Sequence, residues 1–295
     1  MPHVLVAGKL HPAGMALLEA ASGVTFDYVT DPDPRAYLAA LPRAEGLVLR
    51  TQPLTAADLA DTPKLSAVAR HGVGHDAVDI AALDARGIPL AIVGDVNSRT
   101  VAEHGMALLQ AASRRIGRGT AAMRAGDWAY RNAFTPREVD GKTLLIIGYG
   151  RIGRRLAQLA AAFGMRVLAH DPFVPAGGFD GTEHAPDLGA ALGEDDAVSV
   201  HAPATDGPVL GAAELSKLKP GAVIMKTARG GVMDEAALLA VLESGQVGAA
   251  GLDVFGEEPP APDAPLIPSP RGRRHAACRG HHARMRRAHG QGCPA

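Results

Sequence analysis

Apolar residues along the first hundred positions fall in short β-branched runs separated by stretches with helical spacing. Strands are expected at His3–Ala7, Val24–Val29, Gly46–Leu49, Leu65–Ala69 and Ile88–Val93. Between them Ala13–Ala21, Thr55–Ala60 and Asp79–Arg86 carry helical patterns. Strand and helix alternating at this spacing imply a parallel sheet with helices on its faces. A long helix is then predicted over Thr100–Arg118 and a shorter one over Ala121–Ala125, carrying the chain into a second domain.

A second alternation begins at Gly141. Lys142–Ile147 reads as a strand, Gly148–Gly153 as a glycine loop, and the following helix places Ile152, Leu156, Leu159 and Phe163 on one stripe, expected to be buried. Gly164 is a natural helix stop, and Met165–His170 is the next strand. Further strands fit Ala197–His201, Ala222–Lys226 and Gly248–Asp253, with helices at Glu214–Leu218 and Glu235–Glu243. After Pro268 neither period continues. The fold class expected is α/β, with two doubly wound parallel-sheet (Rossmann-like) domains at 1–97 and 98–266 and an unpatterned tail at 267–295.

Composition narrows this only a little. With 47% hydrophobic and 21% charged residues, the chain has the make-up of a folded globular protein. No apolar run approaches the ~20 residues of a membrane span. The N-terminus lacks the basic-then-apolar pattern of a signal peptide, so a cytoplasmic protein without membrane association is expected. Charge is unevenly spread. From Ala264 onward there are seven Arg, four His and no acidic residue, which leaves 23 basic against 31 acidic residues before it. Both cysteines, Cys278 and Cys293, lie in the tail, so the body has neither a disulfide framework nor a thiolate metal site, and no metal is expected.

The glycine loop carries the strongest chemistry. Gly148-Tyr149-Gly150-Arg151-Ile152-Gly153 follows a strand and opens a helix, the context that the dinucleotide fingerprint requires. Gly148 permits the tight turn, Gly150 admits the pyrophosphate, and Gly153 lets helix and strand pack closely. The helix N-terminus offers N–H groups and positive dipole to phosphate. The next strand ends in Asp171, 18 residues past Gly153, where a carboxylate binds both ribose hydroxyls and repels a 2′-phosphate. NAD is therefore favoured over NADP.

Three other segments end strands. Arg70-His-Gly-Val-Gly-His-Asp-Ala-Val-Asp79 is a glycine-rich turn, Thr227-Ala228-Arg229-Gly-Gly follows one strand, and Asp253-Val-Phe-Gly-Glu-Glu258-Pro follows another. Taken singly, a plain strand-to-helix turn and a surface ion pair account for them. Taken in order with the glycine loop, His170-Asp171-Pro and His201-Ala-Pro-Ala-Thr, they closely resemble the D-isomer-specific 2-hydroxyacid dehydrogenases, over roughly Pro2 to Leu266.

That resemblance implies hydride transfer between nicotinamide C4 and the C2 of a 2-hydroxy or 2-oxo acid, with the cofactor carrying the chemistry and the protein orienting and polarising. Arg229 would bind the carboxylate and carbonyl of the substrate, and Glu258 would pair with a catalytic histidine. N–H groups of Val73 and Gly74 would hold the substrate carboxylate. Arg151 and Ile152 would sit on the pyrophosphate, Thr227 and Ala228 beside the nicotinamide ribose, and Asp253 at the carboxamide. A homodimer is implied by the same resemblance. Lys226 departs from it, since the family usually has Asn before this Thr-Ala-Arg-Gly run, and an effect on loop packing is expected.

The larger departure is in the tail. The family's general acid is a His in a Thr-Pro-His run about twenty residues after the glutamate, and this sequence contains no such run. His275, His281 and His282 lie in a segment that matches nothing in the family, and the family's closing helix is also missing. Codons compatible with His275-Ala-Ala-Cys278 permit Thr-Pro-His when read from the second base, so the tail is expected to be a frameshift product. Activity impaired by loss of the acid follows. The competing expectations are a non-catalytic NAD-binding regulator of corepressor type, an Arg-rich nucleic-acid arm (disfavoured, for want of aromatics or a fold), and an acid role for His71 or His75. The identity of the 2-hydroxy acid is left open, with extra cations near Arg50 or Arg70 expected for a phosphorylated one.

Overall fold

The computed structural model describes residues 1–31 and 33–267. The expectations placed on the tail, including its histidines and the missing helix, lie outside these residues, apart from Ile267. The chain divides into two compact units, residues 1–97 and a second that begins at Ser98.

The first unit alternates β1 (His3–Ala7), α1 (Pro12–Ala20), β2 (Thr25–Val29), β3 (Gly46–Leu49), α2 (Ala56–Leu59), β4 (Ala67–Arg70), α3 (Ile80–Ala85) and β5 (Leu90–Ile92). Two short 3₁₀ turns, Ala36–Ala39 and Leu41–Arg43, lie between β2 and β3, where no element was expected. All strands pair in parallel in the order β2-β1-β3-β4-β5, a doubly wound sheet. Leu5, Leu47, Leu49 and Val68 anchor its core with Tyr37 and Leu83 from the connections. Helix starts follow local chemistry: Thr55 and Asp58 close a capping box on α2, and Asp79 caps α3 by accepting the Ala82 N–H.

The second unit opens with α4 (Ser98–Ser113) and α5 (Ile116–Arg124). The single helix expected over Thr100–Arg118 is thus two, and the short one at Ala121–Ala125 is the end of α5. Arg115 stands between them at φ 54°, the left-handed conformation that breaks a helical ladder. Then come β6 (Thr143–Ile147), α6 (Arg151–Ala162), β7 (Arg166–His170), β8 (Glu183–His184), α7 (Leu188–Ala191), β9 (Ala197–Val200), α8 (Ala212–Ser216), β10 (Ala222–Lys226), α9 (Glu235–Glu243) and β11 (Val247–Leu252). The order β11-β10-β9-β6-β7-β8 is the parallel arrangement of a dinucleotide-binding sheet, its direction of winding reversing between β6 and β9.

Every residue of β6, β9 and β10 is buried, as expected of central strands covered on both faces. One core gathers Leu145, Val198, Ile224 and Leu252 under α8 and α9; the other gathers Leu144, Ile146 and Met225 under α4 and α6. The stripe drawn on α6 needs correction. Its buried residues are Gly153, Leu156, Ala157 and Ala160, Ile152 and Leu159 only flank them, and Phe163 is exposed. Small side chains bring α6 close to its neighbours: a Cβ on Gly105 of α4 would stand 3.7 Å from Leu156. The helix ends at Ala162, so Phe163 has left the buried face before the stripe reaches it.

Candidate active site

In the second unit the loops that follow β6, β7, β9, β10 and β11 lie at one edge of the sheet, the carboxyl ends of its strands. This edge, at the point where winding reverses, is where doubly wound sheets bind ligands. The glycine loop is held from below. Gly148 has φ +93° and donates its N–H to the His170 carbonyl at 2.9 Å. A Cβ there would come within 2.7 Å of the Ala202 nitrogen. A Cβ on Gly153 would overlap the Gly148 carbonyl oxygen and press on Ile146. Gly150 differs, because a Cβ on it meets no atom within 4 Å. Two glycines are therefore required by packing and the third faces open space.

Gly150 is also the N-cap of α6 and has no side chain to occupy the helix terminus. The first-turn N–H groups of Arg151, Ile152 and Gly153 thus point toward that open space, a fit for a pyrophosphate. Tyr149 turns the other way. It is buried, stacks on Phe179 at 5.2 Å, and its hydroxyl meets the Phe179 carbonyl and the Thr182 hydroxyl. The guanidinium of Arg154 covers its ring at 4.6 Å. Asp171, one residue past β7, accepts the Tyr149 N–H.

The remaining residues line the same edge. Thr227 follows β10 and is buried, and its hydroxyl stands 3.4 Å from His201 Nδ1. Arg229 is half-buried and donates to the Ala228 carbonyl at 3.0 Å. Asp253 follows β11; its N–H donates to the Lys226 carbonyl at 3.0 Å, and its carboxylate lies 3.6 Å from His104 Nε2. Glu258 is exposed and its Oε1 accepts the Phe255 N–H at 3.0 Å.

In the first unit Val73 and Gly74 lie in the loop after β4, half-buried, beside buried His71. His75 is half-buried. The winding of this sheet reverses between β1 and β3, and there the buried Gln52 side chain accepts the N–H groups of Arg50 and Thr51 at 3.2 and 3.0 Å. Leu49 pairs with Arg70 in the β3–β4 register, so Arg50 and Arg70 share an edge.

Two histidines at the second sheet received no role from the sequence: His104, and His201, which entered there only within the His-Ala-Pro-Ala-Thr run. His104 sits on α4 between buried Val101 and Leu108, a polar residue on an apolar stripe, which was the available signal. His201 directly follows β9 and is half-buried, Nε2 2.9 Å from the Ser199 hydroxyl. Burial pulls its pKa from 6.5 down to about 4, so it is neutral at neutral pH. At the opposite edge of the sheet Asp195 is fully buried, and burial pushes its carboxyl up to about 8. Among the described residues no three His, Cys, Asp or Glu side chains gather as a metal set. Nor does any described helix have the length and apolarity to cross a membrane.

Comparison with known proteins agrees with this geometry. The D-isomer specific 2-hydroxyacid dehydrogenase, NAD binding domain, matches residues 106–275. D-3-phosphoglycerate dehydrogenase of Mycobacterium tuberculosis is 43% identical over 271 residues, covering 90% of this chain and 51% of that protein. The Methanocaldococcus jannaschii D-3-phosphoglycerate dehydrogenase is 35% identical over 272 residues, with the same two coverages. The chain thus spans about half the length of these curated relatives. Among solved structures, a Sinorhizobium meliloti NADPH-dependent glyoxylate/hydroxypyruvate reductase in complex with NADP and malonate is 30% identical. It aligns with TM-score 0.84 over 98% of this chain and 90% of that one. The TT0316 protein of Thermus thermophilus aligns with TM-score 0.85 at 29% identity, over 98% and 93%. The chain belongs to the D-isomer specific 2-hydroxyacid dehydrogenase family.

Proposed function

We propose that the chain interconverts a D-2-hydroxy acid and a 2-oxo acid by hydride transfer with NAD, slowly in the sequence as written. The observation that carries this reading is the shared edge: Arg229 and Glu258 follow the neighbouring strands β10 and β11, on the side where α6 presents its N-terminus. In this reading residues 1–97 are the substrate-binding domain, and the N–H groups of Val73 and Gly74 take the substrate carboxylate. The Arg229 fork binds carboxylate and carbonyl together and polarises the carbonyl.

Gly150, Arg151 and Ile152 bind the pyrophosphate, and Asp171 the ribose hydroxyls. Thr227 and Ala228 flank the nicotinamide ribose and Asp253 receives the carboxamide. When bound, the reduced cofactor supplies the hydride from nicotinamide C4. Glu258 stands ready to orient an acid, but the sequence offers no Thr-Pro-His run to supply one. Water then delivers the proton, and loss of a general acid costs about 10²–10⁴ in rate.

Arg50 and Arg70, at one edge of the first sheet, together with the identity to D-3-phosphoglycerate dehydrogenases, favour a phosphorylated three-carbon oxo acid. A homodimer belongs to the same reading. Helix α5 has no buried residue, and Ile116, Met123, Trp128 and Phe134 are exposed along 116–134, an apolar surface suited to a second copy. Light scattering after gel filtration tests it. A cytoplasmic location completes the reading and is tested by fractionation.

The deciding experiment measures NADH binding by fluorescence alongside NADH oxidation with glyoxylate, hydroxypyruvate and 3-phosphohydroxypyruvate. Binding with slow turnover supports the reading. Absence of NADH binding overturns it, and binding without any turnover favours a regulatory NAD-binding protein. Brisk turnover overturns the impairment alone.

A further inference from the structure

Lys226 is the last residue of β10, immediately before the Thr227–Arg229 loop, and its side chain has no exposed surface. Its ammonium donates to Glu235 Oε1 at 2.6 Å. The same Oε1 accepts the Gly256 N–H at 2.8 Å. The ammonium also lies 6.0 Å from the centre of the Phe255 ring. Phe255 in turn gives its N–H to Glu258 at 3.0 Å. The main chain adds two links, because the Lys226 carbonyl accepts the Asp253 N–H at 3.0 Å and Gly230 packs directly on the backbone of Phe255 and Gly256.

An ion pair with one partner wholly buried is poor evidence of a stabilising role, since removing the ammonium from water offsets most of its attraction to a half-buried carboxylate. The apolar residues of β10 around Lys226 would favour a hydrophobic side chain if packing were all that mattered. What this pair provides is direction: one charge under the arginine loop holds, through one carboxylate, the backbone of the glutamate loop. Asparagine, usual in the family at this position, is too short to span the same gap.

We infer that Lys226 is a positioning residue, fixing the Phe255–Glu258 segment against the Thr227–Arg229 loop through Glu235 and so setting where Arg229 and Glu258 stand. The inference rests on the reading of Arg229 as the substrate arginine.

Its test is the binding of oxalate, a planar stand-in for a 2-oxo acid, to the NADH-loaded full chain, with NADH affinity and melting temperature measured in parallel. A charge-assisted hydrogen bond lost through misalignment weakens binding by about ten- to a hundredfold. K226M and K226N should therefore weaken oxalate about tenfold or more while NADH affinity stays within about twofold. E235Q keeps the acceptor for Gly256 and should weaken oxalate less. Should K226M not fold, the double variant K226M/E235M replaces the pair by apolar side chains and should show the same oxalate defect. Unchanged oxalate affinity in a folded K226M or K226M/E235M overturns the inference, as does a parallel loss of NADH. R229Q separates the two levels. If oxalate binds R229Q as it binds the parent, the reading of Arg229 itself has failed. If R229Q is defective and K226M is not, only the inference has.

Discussion

The carboxylate of Asp171 accepts the Tyr149 N–H through Oδ2 at 2.8 Å and the Phe173 N–H through Oδ1 at 2.9 Å. Both oxygens are thereby fixed at the rim of the glycine loop, and each retains lone-pair capacity for a ribose hydroxyl. Hydrogen bonds to a charged group contribute about 1.5–3 kcal/mol, so D171A should weaken NADH about ten- to a hundredfold. A fluorescence titration checks this; an unchanged affinity would remove Asp171 from the site.

The glycines of the loop are expected to separate by mechanism. G153A forces a methyl against the Gly148 carbonyl oxygen and should lower the melting temperature along with NADH affinity. G150A meets no atom within 4 Å, so its melting temperature should hold while NADH binding falls, because the methyl occupies the pyrophosphate's approach. Equal thermal losses in the two variants would contradict this distinction.

Arg229 is expected to tolerate no cationic substitute. Lysine keeps the charge but not the planar fork that meets a carboxylate and a carbonyl together. R229K should lose oxalate affinity by about tenfold or more, the range of one charge-assisted hydrogen bond, with NADH binding retained. Calorimetry of both ligands reads the two effects separately.

Stability should respond to pH from both sides. Folded Asp195 keeps its proton up to about pH 8, whereas the unfolded chain releases it near 3.8, so stability falls as pH rises through that window. His201 behaves oppositely, because the folded ring stays neutral down to about 4 while the unfolded ring protonates near 6.5, and stability is lost as pH falls between them. The two slopes oppose each other between about pH 4 and 6.5, so D195N should flatten the fall in melting temperature between about pH 6.5 and 8, where Asp195 acts alone, and H201Q should expose a fall with rising pH between about 4 and 6.5. Each kcal/mol recovered raises the melting temperature by about 2–4 °C in a unit of this size. Thermal melts from acid to alkaline pH decide it, and parallel curves for D195N and the parent would refute the assignment to Asp195.

Much of this architecture was legible because its signals are local. Strands β1, β3 and β10 fall where the β-branched runs predict them, and the parallel, doubly wound class of both sheets follows from strand–helix alternation. The helix break at Arg115 was not legible, because arginine favours helices and its left-handed conformation is imposed by tertiary context. Strand β8 is two residues long, below the length at which alternation can register. At the candidate site, Gly148 and Asp171 could be found from spacing alone. His104 meets Asp253 from a distant strand end, and the Lys226–Glu235 link joins a strand end to the next helix, so neither pairing belongs to a local periodic pattern.

Strand β8 has one more consequence. A parallel sheet exposes unpaired N–H and C=O groups along its outer strand, a template on which a foreign strand can grow. Here that outer strand is only Glu183–His184, flanked by the ion pair of Arg166 with Glu183 at 2.6 Å. A would-be adduct on this border finds two residues to copy and charge where it needs a flat apolar surface. The border is in effect self-terminating, which guards a crowded solution of this protein against fibre growth from that side.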